Sequence, residues 1–289
     1  VTNAAAIASV GDAAKLAASK AVNITADGES KLIGVLMAAA AASSGKPAAG
    51  GTVLINVFNR NNSASVGNGA TVISDEDNVL VKAYSDEKTV MVSVAGAASD
   101  SGVALSGNIQ VNVGESDVTA SVGNNTTIKA YDSIGVMADL DNTVVLMAAN
   151  ASLSGGGSAS VGATTITTVL QNNVQALVGS GSDLFARTLK KDGGIRTRNR
   201  DKKERGVIVH AAGDETAVMI GIAAAGTTGN AAVSGVIDTM VILNTVAAKV
   251  GTDTDVTAGT AATDDADGDG EADGDSSNDG DIIVEAYDK

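Results

Sequence analysis

Ala120-Ser121-Val122-Gly123 is one of five copies of the tetrapeptide A-x-V-G, which begin at residues 8, 64, 120, 176 and 248. The first four copies follow one another at a constant interval of 56 residues. The last follows after 72 residues, which is the same interval lengthened by an insertion of 16 residues. A fixed period of this length is the sequence signature of a repeat architecture. We therefore predict that residues 1–289 form a single domain of stacked units.

Three further markers keep a nearly fixed distance from A-x-V-G, and each alternates apolar residues with other residues. In the second repeat they are Val79-x-Val81-x-Ala83, Val90-x-Val92-x-Val94 and Ile109-x-Val111-x-Val113. A period of two predicts short strands, each with one buried face. Gly- and Asn-rich segments such as Gly123-Asn124-Asn125 separate the strands and predict turns, because these residues tolerate a left-handed backbone.

The composition points to a narrow interior. Hydrophobic residues make up 44% of the chain, but aromatic residues only 2%, and there is no Trp. Together with the repeat, this predicts an all-β fold, a parallel β-helix (β-solenoid) with Val, Ile and Ala inside. Dividing one repeat by three gives about 19 residues per coil, so we expect about three coils per repeat, with the second and third markers on successive coils.

Charge and residue usage exclude several classes of protein. The net charge of −15 argues against a nucleic-acid partner, because phosphate binding requires clustered Lys and Arg. The absence of Cys excludes a disulfide scaffold and a Cys nucleophile. No run of apolar residues is long enough to predict a membrane-spanning helix. The chain starts and stops within a repeat, so we expect either a slice of a longer shaft or a subunit whose partners are copies stacked end to end.

Two charged insertions interrupt the last repeats at the same corner. A basic loop at 187–205 carries nine Lys and Arg against three acids, and an acidic loop at 253–281 carries eleven carboxylates and no base. With three coils per repeat, the loops would lie ~14 Å apart. For the basic loop we consider a solvated flexible tip, contact with the acidic loop, and binding of an anionic surface polymer.

The acidic loop contains half of a calcium-binding pattern. Oxygen ligands at alternating positions followed by Gly suit Ca²⁺, and Ser276 stands where an EF-hand would have its bidentate Glu. A calcium site, a solvated loop and pairing with the basic loop are the three alternatives. The predicted ligands are Asp265, Asp267, Asp269, Glu271 and Asp273.

Residues for catalysis are scarce, and we predict no catalytic or cofactor-binding residue. The only histidine, His210, lies between Val209 and Ala211, so the alternation points it outward, and we expect it to be exposed. Acids recur after the first marker in each repeat, for example Asp139 and Asp141, which indicates a role at a corner, since an active site is normally singular.

A family resemblance follows from the order of these motifs. Ile109-Gln110-Val111-Asn112-Val113, the A-x-V-G turn and Ile134-Gly135-Val136-Met137-Ala138 resemble the repeats of giant bacterial filamentous adhesins, the leukotoxin-type and filamentous-haemagglutinin-like passengers of type V secretion. The resemblance covers the chain apart from the two insertions. It implies a right-handed β-helical shaft that is secreted and displayed on the bacterial cell surface.

We therefore expect a structural or adhesive segment, or subunit, of an extracellular surface fibre. The sequence names no adhesive ligand. The alternatives are a carbohydrate-active β-helix enzyme, since many β-helices are polysaccharide lyases or hydrolases, and a filament subunit whose assembly depends on calcium.

Overall fold

The computed structural model describes residues 1–156, 159–190, 192–198, 202–259 and 280–289. Its regular structure consists of β-strands, and three parallel sheets of five strands each run along one axis. This arrangement confirms the predicted all-β parallel solenoid. Within the described ranges, no helix has the length and apolar character of a membrane span.

Each coil contributes one strand to each sheet. Sheet A, with long strands, contains β1 (Thr2–Val10), β4 (Ala48–Val66), β7 (Ala104–Val122), β10 (Ala159–Val178) and β15 (Ala231–Val250). Sheet B, with short strands, contains β2 (Lys15–Ala18), β5 (Thr71–Ser74), β8 (Thr127–Ala130), β11 (Asp183–Ala186) and β16 (Asp255–Ala258). Sheet C contains β3 (Val22–Ala42), β6 (Val79–Ser99), β9 (Ile134–Ser154), β14 (Gly206–Thr227) and β17 (Asp281–Asp288). A small antiparallel hairpin joins β12 (Ile195–Arg196) to β13 (Lys203–Glu204).

The strand register corrects the predicted coil length. Ala64 pairs with Ala8 on one side and Ala120 on the other, so one full coil takes a whole repeat and not one third of it. Val90 and Ile109 do not stack on successive coils: Val90 lies in sheet C and Ile109 in sheet A of the same coil. The three-coil division failed because the strands of sheets A and C other than β1 and β17 have 19 to 22 residues, and each spans two of the short markers.

The cross-section is a flat blade that is closed at one end. Sheets A and C pack face to face, and sheet B closes the end where the A-x-V-G anchor and the first marker meet. The main apolar core lies there and is built from columns of equal residues, such as the fully buried Ala64, Ala120 and Ala176. Small side chains are required because three sheets converge on this space.

Away from sheet B, the polarity of the blade is reversed relative to our prediction. The second and third markers face outward, and Val35 and Ile55 are 64% and 62% exposed. The alternate residues point inward and include Asn56, Gln110 and Asn112. The prediction that these two markers have a buried apolar face is therefore wrong.

Hydrogen bonds between side chains make the polar interior tenable. Asn56 Nδ2 donates to Asn112 Oδ1 on the next coil at 2.7 Å. Gln110 Nε2 donates to Ser93 Oγ at 2.7 Å and to the Met147 carbonyl at 2.8 Å, which ties sheet A to sheet C. Buried polar groups are costly when unpaired, but such bonds offset much of that cost.

The predicted turns between sheets A and B are confirmed. Residues at one stacked position have a left-handed backbone in every coil, with φ between 53° and 67°. Gly and Asn occupy three of these positions, as the turn requires. The five residues are Ala13, Gly69, Asn125, Gly181 and Asp253. Neighbouring side chains bond the next coil: Asn68 Oδ1 accepts from the Asn124 N–H at 2.9 Å.

The coil length predicts which deletions the fold tolerates. Removing residues 58–113 takes out one whole coil, together with both partners of the Arg60–Glu87 ion pair. We expect this variant to keep the far-ultraviolet circular dichroism of the parent per residue, because every remaining column stays in register. A control deletion of residues 58–76, about one third of a coil, should unfold the chain. The register would be contradicted if the variant lacking residues 58–76 folded and the variant lacking residues 58–113 did not.

Candidate functional site

The recurring acids lie in the middle of sheet C, not at a corner as we predicted. Glu29, Asp86, Asp141 and Asp214 pair in one outward column, while Glu87 and Glu215 point inward. Like charges directly opposite on neighbouring strands are destabilising, so this acidic column requires counter-charges. Lys88 supplies one in the second coil, 3.0 Å from Asp86.

The basic insertion supplies counter-charges in the next coils. We call residues 187–205 the strap, and its described parts, 187–190, 192–198 and 202–205, lie against the outer face of sheet C. Arg198 pairs with Asp141 and lies 3.8 Å from Asp214, so one guanidinium serves two members of the acidic column. Lys190 pairs with Asp77 at 2.8 Å, and this contact lowers the pKa of Asp77. The described part of this loop is therefore bound by ion pairs and is not a solvated tip, which was one of the three hypotheses.

An apolar contact fixes the centre of the strap. Ile195 is 7% exposed and packs with Met137 and Ile208. Gly135 makes room for it, because a Cβ at that position would lie 2.9 Å from Ile195 Cδ1. The Gly in the first marker of the third repeat was a usable signal, since the neighbouring repeats have Leu80 and Ile208 in this column.

His210 points outward as predicted, but it is fully buried and not exposed. Its Nδ1 contacts Glu285 Oε1 at 2.9 Å, and its Nε2 lies 3.5 Å from Asp139 Oδ1. Lys82 also contacts Asp139, at 3.1 Å. The alternation gave the direction of the ring correctly, whereas its burial depends on tertiary contacts, among them those with Asp139 on β9 and Glu285 on β17.

Two open clefts run along the edge of the strap, with volumes of about 760 and 510 Å³. Both are lined by Lys82 and Arg196, and the smaller one also by Tyr84 and Asp141. Burial and the nearby charge of Asp141 raise the pKa of Tyr84. The larger cleft has four cationic side chains against two carboxylates in its lining, which suits an anionic group in a chain that is acidic elsewhere.

The predicted calcium ligands, Asp265, Asp267, Asp269, Glu271 and Asp273, lie outside the described residues. Among the residues that are described, no three His, Cys, Asp or Glu side chains are grouped closely enough to hold a metal ion. Two details of the insertions need correction. Residues 255–258 form β16, a regular strand of the coil, and are not part of an inserted loop. The two insertion corners lie on adjacent coils, so they are ~4.8 Å apart and not ~14 Å.

An ion pair inside the blade was missed by sequence analysis. Arg60 Nη1 lies 2.6 Å from Glu87 Oε2, and both side chains are buried. Ser85 and Ser116 donate to Glu87 at 2.9 Å, and the guanidinium stacks on the Phe58 ring at 4.0 Å. These contacts join sheets A and C. Removing one partner would leave an unpaired buried charge, so we assign the pair a structural role.

Glu215 lies near the same inward region as Glu87 but has no arginine beside it among the contacts described. Asn172 Nδ2 donates to Glu215 Oε2 at 2.6 Å. Burial raises the pKa of Glu215 to about 7, and the charge of Asp288 adds to the shift, while the bond from Asn172 opposes it. The charge of this inward carboxyl group therefore changes near neutral pH.

The chain was compared with family models, curated proteins and solved structures, and nothing in any of the three matches it.

Shortening Ile195 should release the strap. Ile195→Ala removes the apolar contact over Gly135, and buried Ile→Ala changes typically cost about 2–5 kcal/mol. We expect trypsin to cleave after Lys202, Lys203 or Arg205 at least tenfold faster, as followed by mass spectrometry. The control is Ile109→Ala, which shortens an exposed side chain on sheet A. Equal cleavage rates in the parent and both variants would show that Ile195 does not hold the strap.

Replacing Glu215 should change how stability depends on pH. Because its folded pKa lies above the ordinary value of 4.5, the folded chain retains a proton that the unfolded chain releases. The stabilisation is complete below pH 4.5 and is lost as the pH rises through 7. At pH 8 we expect Glu215→Gln to be more stable than the parent by about 1 kcal/mol, allowing for solvent screening at this half-buried site.

At pH 4.5 the parent and Glu215→Gln should have nearly equal melting temperatures. Thermal melts monitored by circular dichroism between pH 4 and 8 measure both effects. Asp183→Asn, an exposed change of the same kind in sheet B, is the control and should follow the parent curve. A stability difference that is independent of pH would contradict the assignment.

Proposed function

We propose that the chain is a structural, adhesive-type segment of an extracellular bacterial surface fibre, and that its stacked coils form a rigid shaft. One observation carries this proposal: all three sheets continue in register from coil to coil. In sheet A, for example, Ala8, Ala64, Ala120, Ala176 and Ala248 form one unbroken column.

Stiffness follows from this register. Each coil is hydrogen-bonded to the next along three separate sheets, so bending or twisting between coils would have to break backbone bonds on more than one face. Each coil adds ~4.8 Å of length. Such a fold forms a long, stiff shaft of constant cross-section, and we assign the chain this structural role.

The placement of the shaft outside the cell rests on the resemblance of its repeats to those of filamentous adhesins. The absence of Cys is compatible with secretion, because a chain with an extensive ladder of hydrogen bonds needs no disulfides. In this proposal the strap is a decoration of the shaft, held down by the acidic column, and its clefts offer a place for anionic groups.

The clefts also favour one alternative, a carbohydrate-active enzyme. Asp139 and Asp141 both line the smaller cleft, and glycoside hydrolysis uses two carboxylates. However, Arg198 pairs with Asp141, and Lys82 with Asp139. These ion pairs engage oxygens of both carboxylates, whereas a general acid must lie within hydrogen-bond reach of the substrate, which supports the structural role over the catalytic one.

Labelling and mass measurement test the proposal. Antibodies raised against this chain should label intact cells of the source organism, and the protein stripped from those cells should have a denatured mass many times the 28.3 kDa of this chain. A mass equal to that of this chain, with surface labelling, would mean that subunits polymerise. Antigen found only inside cells would contradict the proposal. Release of reducing ends from a polysaccharide, lost in Asp139→Asn, would support the enzyme instead.

A further inference from the structure

The outer surface of sheet C, beyond the acidic column, is an uncharged apolar face. It comprises five outward columns over four coils, which we call the outer C face. Its positions hold Val, Ile, Met, Leu, Ala or Gly throughout. They are Ile33, Val35, Met37, Ala39, Ala41, Val90, Val92, Val94, Gly96, Ala98, Val145, Met147, Ala149, Ala151, Leu153, Val218, Ile220, Ile222, Ala224 and Gly226.

We propose that the outer C face is a lateral association surface, and that its partner is the same kind of face on a second copy of this chain. The shaft proposed above concerns stacking along the axis, whereas this inference concerns packing side by side. It would hold for the folded chain wherever the shaft resides.

Exposure of this face is not an effect of a few scattered residues. Val94, Met147 and Ile222 are 40%, 41% and 55% exposed, and they lie on three different coils. The inward residues between the outward columns are mixed: Ser93 and Asn150 are polar, whereas Met91 and Leu146 are apolar and buried. Most β-branched residues of this half of sheet C nevertheless lie outside, which is unusual for a sheet that packs only on its own core.

The axial period of the face favours another solenoid over a globular partner. Its ridges repeat every ~4.8 Å, and a second solenoid has the same spacing, so side chains can interdigitate at every coil. Two sheets packed in this way lie ~10 Å apart, as in a β-sandwich.

The area of the face sets the strength of the contact. Five alternate positions span ~27 Å along a strand and four coils span ~19 Å, which gives about 500 Å² per copy. A standard stable interface buries ~800 Å² per partner. We therefore infer weak association for this chain, which becomes stronger with every coil added.

Charge fixes the conditions under which copies meet. The chain carries a net charge of −15, so two copies repel each other at a distance, but no charged residue lies in the face itself. Salt screens the repulsion and leaves the apolar contact unweakened. Association through the outer C face should accordingly increase with ionic strength, whereas association through ion pairs should decrease.

Sedimentation equilibrium tests the proposal. In about 0.5 M NaCl, between about 10 and 500 µM protein, the weight-average mass should rise from 28.3 kDa towards twice that value. The test variant Val92→Lys/Met147→Glu changes two paired outward positions, keeps the net charge and places opposite charges side by side. It should keep the mass of the single chain throughout, with a circular dichroism spectrum and melting temperature close to those of the parent.

The matched control is Thr119→Lys/Gln175→Glu, an equivalent outward pair on sheet A outside the face, which should associate like the parent. Equal association of the test variant and the parent would assign the contact to another surface, such as the coil ends or the exposed apolar residues of sheet A, and overturn the proposal. A parent that stays monomeric at the highest concentration in high salt would also overturn it, as would capture by phosphatidylcholine vesicles without self-association, which would assign the face to a lipid surface.

Discussion

Parallel backbone hydrogen bonding between residues one coil apart is the constraint on which the rest of this molecule depends. It places every side chain directly above and below its equivalents, ~4.8 Å away. Whatever residue type a position holds is therefore multiplied into a column. A column of Ala becomes a narrow core, and a column of left-handed residues becomes a stacked corner. A column of carboxylates becomes a line of mutual repulsion.

The two halves of the blade satisfy this constraint differently. Near sheet B, three sheets enclose the interior, and it is filled mainly by Val, Ile and Ala. Farther out only two sheets remain, and layers of Asn, Gln and Ser alternate with layers such as Phe58 and Met91. Columns of amides suit a solenoid because an amide can donate to its equivalent on one side and accept from its equivalent on the other, and Asn56 Nδ2 donates to Asn112 Oδ1 in this way.

The sequence revealed the repeat period of the molecule but not which side of each strand faces the interior. The repeat of A-x-V-G gave the stacking, and the alternation gave strands, since both are properties of single columns. A period of two does not tell which face of a strand lies inside. For Ile109-Gln110-Val111-Asn112-Val113, the prediction that the apolar residues face the interior is wrong. The coil length was wrong for a related reason: nothing in a short marker tells how far a strand continues beyond it. Docking of Ile195 depends on contacts between an insertion and a distant face, and His210 is buried with contacts to Asp139 and Glu285 on neighbouring coils, so no local pattern records either.

Function in such a fold is tied to departures from periodicity. A feature that every coil repeats is explained by stacking alone, as the acidic column illustrates: its members differ only in what neutralises them. Lys88 serves Asp86 within the regular repeat, whereas Arg198 reaches Asp141 and Asp214 from an insertion that one coil alone carries. The repeated carboxylates, which repel one another, thus bind the strap at one place through Arg198. Because the strap also brings cationic side chains beside Leu80 and Met137, the clefts at its edge have a lining that the other coils do not repeat.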